Sequence, residues 1–176
     1  MKSTKQNPNH KKLTWLPTKL GFTLLELLVV MAIIGILAGL GIGSFISAQK
    51  KSRDAKRKGD LKNVAKVLEA YLNDYGHYPL SSSEGFIIGC DSGSGLVACA
   101  WGGPFSVYKN GQTTTYMLKL PQDPNGFQYR YESDGTHYVL YARLENEKDK
   151  EIVSDLSVTC GSENCNYAIT SSNYSL

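Results

Sequence analysis

Few residues of the kind that enzymes use for catalysis occur in this sequence of 176 residues. Histidine occurs three times, as His10, His77 and His137, and none of them has a serine, cysteine or carboxylate arranged as nucleophile and base. No glycine-rich loop has the spacing that cradles a phosphate. The sequence therefore predicts no enzyme and no cofactor.

Acidic residues are absent before Glu26, and cysteine is absent before Cys90. The segment that ends at Gly21 carries five lysines with no opposing charge. The late first cysteine excludes a lipoprotein, because a lipid-modified cysteine would stand near the start of the apolar run. Without this basic segment the formal net charge of +3 falls to about −2, so the net charge gives no support to nucleic-acid binding.

The longest apolar run extends from Phe22 to Ile46, and Glu26 is its one ionisable side chain. A helix of that length covers about 37 Å, more than the roughly 30 Å of a bilayer's hydrocarbon core. The run is too long for a secretory signal, whereas an uncleaved signal anchor stays open. A charge at the bilayer centre costs roughly 2.5–3.5 kcal/mol, so Glu26 is a functional candidate.

The run from Gly21 to Glu26, Gly-Phe-Thr-Leu-Leu-Glu, resembles the processing and methylation motif of type IV pilins and type II secretion pseudopilins. The resemblance implies that a prepilin peptidase cuts after Gly21 and that Phe22 becomes a methylated N-terminus. It also implies that Glu26 pairs with the terminal amine of a neighbouring subunit during assembly. The implied partners are identical or related pilin subunits, an inner-membrane assembly platform and membrane lipid.

Three weaker motifs are similar to the same family and follow in the family's order. They are the helix exit Asn73–Pro79, the turn Pro121–Pro124 and the strand Tyr138–Ala142. Two features depart from it: Asn125 replaces a usual aromatic residue, and no acidic C-terminal loop of the calcium-binding kind is found. The resemblance implies an α+β fold, in which a long N-terminal helix packs on a small antiparallel β-sheet head. Calcium binding is not expected.

Beyond Ile46 the sequence predicts that the helix continues to Tyr75 and ends at Gly76. Its first part is a basic cluster, which is either a solvated helix face near lipid headgroups or a contact surface for acidic patches on neighbouring subunits. The cluster consists of Lys50, Lys51, Arg53, Lys56, Arg57 and Lys58. Its second part carries an apolar stripe at spacings of three and four, which predicts a buried face. The stripe consists of Leu61, Val64, Ala65, Leu68, Tyr71, Leu72 and Tyr75.

The head is expected to begin with a long connection over residues 78–110, anchored by Trp101 and Phe105. Strands are predicted in the segments 114–120, 127–131, 137–144 and 152–158. Turns are predicted at 121–126 and 133–136, and the tail after Cys165 reads as polar.

Four cysteines, Cys90, Cys99, Cys160 and Cys165, all follow the apolar run, in the part that translocation would expose to an oxidising compartment. They allow three pairings, of which we prefer the short-range one, Cys90–Cys99 with Cys160–Cys165. Neither spacing resembles a zinc site. Three turn residues, Asp123, Asn125 and Asp134, have side chains that can bind a metal, but turn geometry explains their presence. No metal site is predicted.

These observations predict four segments: a cleaved leader (1–21), a membrane and assembly helix (22–46), an amphipathic helix (47–76) and a β-sheet head (77–176). The predicted function is that of a structural subunit of a type IV pilus or a type II secretion pseudopilus. Both flanks of the apolar run are basic, so the charge distribution does not decide the orientation of the chain in the membrane. The cysteines predict that the N-terminus lies inside and the head outside. The subunit is then expected to enter a surface or periplasmic filament. The alternative is a minor pilin or membrane-tethered protein that captures DNA or a surface ligand, for which Tyr129, Arg130 and Tyr131 are the only hint.

Overall fold

The computed structural model describes residues 21–91, 95–109 and 111–176. For Leu40 and Gly41 it describes the backbone only. The predicted leader, apart from Gly21, therefore lies outside the described residues. The chain divides into two compact units between Ile42 and Gly43.

The first element is helix α1, Leu24–Tyr75, of 52 residues. Its start is fixed by Thr23, whose side chain accepts a hydrogen bond from the backbone of Glu26. It ends as predicted at Gly76, which has φ +76 and donates to the Leu72 carbonyl at 2.7 Å. A positive φ costs glycine little, which explains why the helix stops there.

In the first unit, the described apolar side chains of α1 are exposed, including Leu24, Leu25, Leu28 and Met31. By length and composition α1 could cross a membrane, a test that a signal sequence near an N-terminus also passes. In water an exposed apolar surface of this extent is unfavourable. The composition of this segment therefore favours a hydrophobic environment over water.

The described residues of the second unit form eight short strands in three antiparallel sheets. The first sheet consists of β1 (Leu80–Ser81), β2 (Ile87–Asp91) and β3 (Leu96–Cys99), and the second of β4 (Phe105–Lys109) and β5 (Gln112–Met117). The third consists of β6 (Arg130–Ser133), β7 (Tyr138–Ala142) and β8 (Tyr167–Thr170), with β7 in the centre. One long helix followed by small antiparallel sheets confirms the predicted α+β class.

The core of the second unit lies between α1 and the sheets. Leu61, Val64, Leu68 and Tyr71 from the predicted stripe are at most 1% exposed. They pack in one cluster with residues of the sheets and loops, including Phe105, Leu120, Tyr131 and Leu140. The helix is therefore held by packing rather than by its own propensity.

Several predicted strands are confirmed with shifted bounds, two segments of the head were predicted wrongly, and one strand was missed. Segment 78–110 is not a connection, because it holds β1 to β4. Segment 152–158 is not a strand, since Asp155 adopts φ 65, which interrupts an extended chain. The tail after Cys165 supplies β8, which pairs with β7.

Candidate functional site

The predicted processing site lies at the start of α1 and is open to solvent. Gly21 is exposed, and Phe22 is 85% exposed. A Cβ built on Gly21 meets nothing within 4 Å, so the fold of the described residues does not itself require glycine at this position. A requirement for glycine here would have to come from another molecule.

Glu26 and Thr23 bond to each other in a capping box. The Thr23 backbone amide donates to Glu26 Oε2 at 3.1 Å, and its hydroxyl lies 3.2 Å from the same oxygen. In return the Glu26 backbone amide donates to Thr23 Oγ1 at 3.2 Å. The carboxylate is thereby held at the positive end of the helix, where a negative charge is stabilised.

One oxygen of Glu26 stays available in this arrangement. Both bonds from Thr23 go to Oε2, and Oε1 makes no hydrogen bond within the described chain. A carboxylate has about four lone-pair sites, so the cap does not saturate it. The geometry thus presents a fixed negative charge with an open acceptor next to Phe22.

Farther along α1, Arg57 is the centre of a buried charge network. Its guanidinium is fully buried and donates to Asp123 through Nε at 2.6 Å and through Nη2 at 3.0 Å. Nη1 reaches Asp54 at 2.7 Å and Glu145 at 2.8 Å. The hydrogen bonds to these carboxylates outweigh desolvation and raise the pKa of Arg57. One cation therefore joins the helix to two separate loops of the head.

Glu145 and Asp54 complete the network on the loop side. Arg53 donates to Glu145 at 2.7 Å, and this bond is the main reason why the pKa of Glu145 falls to about 2. The Asp54 carboxylate accepts hydrogen bonds from the backbone N–H groups of Glu145, at 2.9 Å, and Asn146, at 2.8 Å. The loop after β7 is thus fastened to the helix by charge-assisted bonds.

The basic cluster has two kinds of member, which neither predicted interpretation anticipated. Arg53, Arg57 and Lys58 pair within the chain, the last of them with Asp149 and Glu151 at 2.7 Å each. The other three members, Lys50, Lys51 and Lys56, are exposed and make no ion pair in the described part of the chain. Only these remain available for lipid or for another subunit.

Sequence reasoning missed Arg57 because it treated the cluster as a surface. A signal was present in the spacing: Asp54 and Arg57 precede Leu61 by seven and four residues, on the same helix face as the apolar stripe. Two charges of opposite sign on a buried face indicate a buried ion pair. Its partners Asp123 and Glu145 could not be read from local sequence.

The cysteines form two disulfides in the structure, Cys90–Cys99 and Cys160–Cys165, which is the pairing preferred from the sequence. The first joins strands β2 and β3, and the second closes a short loop before β8. Cys160 and Cys165 also pack with Val139 on the second face of β7. This contact explains why β7 is buried on both faces.

The residues considered for metal or ligand binding have other roles. Asp123 accepts from Arg57 and from the Asn125 amide, and Asp134 accepts from Thr136. The described residues contain no group of three His, Cys, Asp or Glu side chains that could hold a metal ion. Tyr129 and Tyr131 are 2% and 0% exposed, so the suggested aromatic surface for DNA is wrong because both rings lie in the core.

The sequence is similar to known protein families over most of its length. The family "Prokaryotic N-terminal methylation motif" matches residues 17–42, and "Type II secretion system (T2SS), protein G" matches residues 44–144. Type II secretion system core protein G from Pseudomonas aeruginosa is 37% identical over 116 residues, which cover 66% of this chain and 75% of the relative.

Two further relatives extend this likeness. The protein of the same name from Escherichia coli is 31% identical over 139 residues, 79% of this chain and 88% of the relative. Type IV major pilin protein PilA from Myxococcus xanthus is 39% identical over 68 residues, 39% of this chain and 31% of the relative. No solved structure matches the chain.

Proposed function

The chain belongs to the type II secretion system protein G family, and from this premise we propose how it is processed, inserted and assembled. As a member it is a structural pilin-type subunit and not an enzyme. The observation that carries the proposal is the exposed Gly21–Glu26 segment, which caps a long apolar helix in front of a folded head.

Processing takes place between Gly21 and Phe22, by a prepilin peptidase. Support comes from the exposure of both residues and from the open space around Gly21, which leaves the backbone accessible. The helix begins only at Leu24, so the bond to be cut lies outside the helix. The mature protein would begin at Phe22, with its amine close to the cap.

The mature subunit then waits in the cytoplasmic membrane through its apolar segment, with the head on the outer side. Two disulfides in the head favour an oxidising compartment for that part of the chain. An inner-membrane assembly platform and membrane lipid would be its partners in this state. From there it enters a surface or periplasmic filament.

Assembly depends on Glu26. Thr23 holds Oε2, and Oε1 is left to accept the positive N-terminal amine of a neighbouring subunit. In lipid, each of these charges alone is costly, so pairing removes two penalties at once. The apolar helices would form the core of the filament and the heads its surface.

The test compares wild type with Glu26→Leu and with Glu26→Gln, a second variant that removes the charge but keeps the size of the side chain. Removing one partner of a buried pair costs about 3–5 kcal/mol, a loss of about two to four powers of ten per contact. We expect normal processed protein in the membrane fraction and no sheared surface filament for either variant. N-terminal sequencing of the wild type should start at Phe22, and Gly21→Leu should block the cut.

Two results would contradict this proposal. A mature protein that retains Lys19 would exclude cleavage after Gly21. Equal amounts of filament in wild type and Glu26→Leu would exclude the pairing mechanism, and an effect on cleavage alone would assign Glu26 to recognition by the peptidase.

A further inference from the structure

A polar cleft of about 410 Å³ lies in the second unit, beside the part of α1 that follows Ile42. Its volume is within the range of about 300–1,000 Å³ that is usual for ligand pockets. The residues that line it are Gly43, Ile46, Ser47, Lys50, Glu145, Asn146, Glu147 and Lys148. We call it the headgroup cleft.

The charges in the headgroup cleft are of two kinds. Glu145 is fully engaged with Arg53 and Arg57. By contrast, Lys50, Glu147 and Lys148 are exposed, and their side chains make no ion pair or hydrogen bond within the described residues. The cleft therefore offers two positive charges and one negative charge to a ligand. Ser47 adds a hydroxyl donor.

One wall of the cleft is apolar and belongs to the predicted membrane segment. Ile46, the last residue of the apolar run, is 49% exposed, and Gly43 leaves open space beside the helix. Lys50 is one helical turn beyond Ile46, a rise of about 6 Å. A ligand that fits both walls must have a charged end next to an apolar end.

We propose that the headgroup cleft binds one membrane phospholipid with a phosphodiester and a primary ammonium, as in phosphatidylethanolamine. Lys50 and Lys148 contact the phosphodiester, Glu147 contacts the ammonium, and the start of an acyl chain lies along Ile46. A free phosphate would leave Glu147 and the apolar wall unused. A nucleic acid would offer phosphates to the two lysines but no cation to Glu147.

This inference rests on the proposed membrane location and adds a consequence to it. A lipid that is held by the head fixes the depth at which the subunit waits in the bilayer. The lipid must be released when the subunit leaves the membrane for a filament. The headgroup cleft thus acts on the reservoir state and not on the finished filament.

The experiment is native mass spectrometry of the full processed chain, purified in detergent and incubated with phosphatidylethanolamine, phosphatidylglycerol or phosphatidylcholine. We compare wild type with the double variant Lys50→Gln/Lys148→Gln. The control is Lys62→Gln/Lys150→Gln, which removes two exposed lysines outside the cleft. Wild type should retain one phosphatidylethanolamine, and the double variant should bind it about tenfold or more weakly, as expected for two lost charge-assisted bonds.

Each comparison in this experiment tests one part of the proposal. Glu147→Gln should abolish the preference for phosphatidylethanolamine over phosphatidylglycerol, and an unchanged preference would overturn the role of Glu147. Equal retention in the double variant and the control would overturn the site. Glycerophosphoethanolamine, which lacks acyl chains, should compete weakly; competition equal to that of the whole lipid would refute the role of Ile46.

Alkaline carbonate extraction of cell membranes distinguishes a failure of the proposed membrane location from a failure of the headgroup cleft. A chain that carbonate releases is not an integral membrane protein, and the membrane location then fails. A chain that stays in the membrane and whose lipid binding ignores Lys50 and Lys148 refutes the headgroup cleft alone.

Discussion

Replacing Arg57 with methionine tests whether the buried charge network holds the head to the helix. Methionine matches the aliphatic part of arginine in volume and removes the charge. Asp54 and Asp123 would then keep buried carboxylates, with side chains 3% and 0% exposed, without their guanidinium partner. Glu145 would retain Arg53.

The expected cost is large because three carboxylates share this one cation. Breaking a buried ion pair from one side typically costs about 3–5 kcal/mol, whereas a domain's whole stability is about 5–15 kcal/mol. The matched control is Arg143→Met, whose partner Glu163 is 52% exposed. An exposed pair of this kind contributes about 0–1 kcal/mol.

The assay is chemical denaturation of the full processed chain in detergent, followed by the fluorescence of Trp101. The sequence has two tryptophans, and Trp15 would be removed with the leader, so the signal reports on the head. We expect Arg57→Met to lower the free energy of unfolding by about 3–5 kcal/mol. A loss equal to that of Arg143→Met would refute the argument.

A pH series gives the same prediction an independent check. The pKa of Glu145 is lowered from 4.5 to about 2 in the folded chain, so its ionised form contributes stability that is present above pH 4.5. That contribution is lost as pH falls from 4.5 to about 2. In Arg57→Met the pKa of Glu145 should rise towards 4.5, because one of its two cationic partners is gone. The difference in the free energy of unfolding between wild type and variant should therefore become smaller below pH 4.5.

The remaining predictions concern the disulfides and the core. Non-reducing peptide mapping of surface-exposed protein should show Cys90–Cys99 and Cys160–Cys165, and crossed pairs or free thiols would contradict this. Replacing Cys90 and Cys99 by serine should lower the unfolding free energy by roughly 2–3 kcal/mol in the entropy model; an unchanged denaturation midpoint would argue against it. Leu68→Ala should cost about 2–5 kcal/mol, since Leu68 is fully buried. The control Leu118→Ala, at an 86% exposed position, should stay within about 0.5 kcal/mol.

The features that the sequence could predict are those with local causes. Helix α1 and its end follow from apolar spacing and from Gly76, and the hairpin between β6 and β7 follows from the turn around Gly135, which has φ +94. The Gly21–Glu26 motif is a contiguous run. Each of these depends on residues within a few positions of one another.

The missed strands depend on pairing between distant segments. β2 contains a register shift between Ile88 and Cys90, which removes the alternation that would have predicted a strand. β8 has a largely polar neighbourhood and is recognisable only by its pairing with β7, about 28 residues earlier in the chain. Segment 152–158 had apolar residues but a turn at Asp155.

The site could be predicted only in part for the same reason. Glu26 was recognisable because it is the one charge in an apolar run. The network around Arg57 was recognisable only through Asp54, three residues away, because its other two partners, Asp123 and Glu145, lie 66 and 88 residues away. Composition shows that charges are present, whereas the fold decides which of them meet.

The large sequence separations in the charge network also determine when its members can pair as the chain is synthesised. Arg53 bonds to Glu145, 92 residues later, and a ribosome adds about 5–20 residues per second. Arg53 therefore remains without Glu145 for roughly 5–20 s after it has been synthesised. Asp54 is made together with the cluster, whereas Glu145, Asp149 and Glu151 are added only near the end of synthesis. A head truncated before Glu145 would leave Arg53 without its carboxylate partner and Arg57 with two of its three.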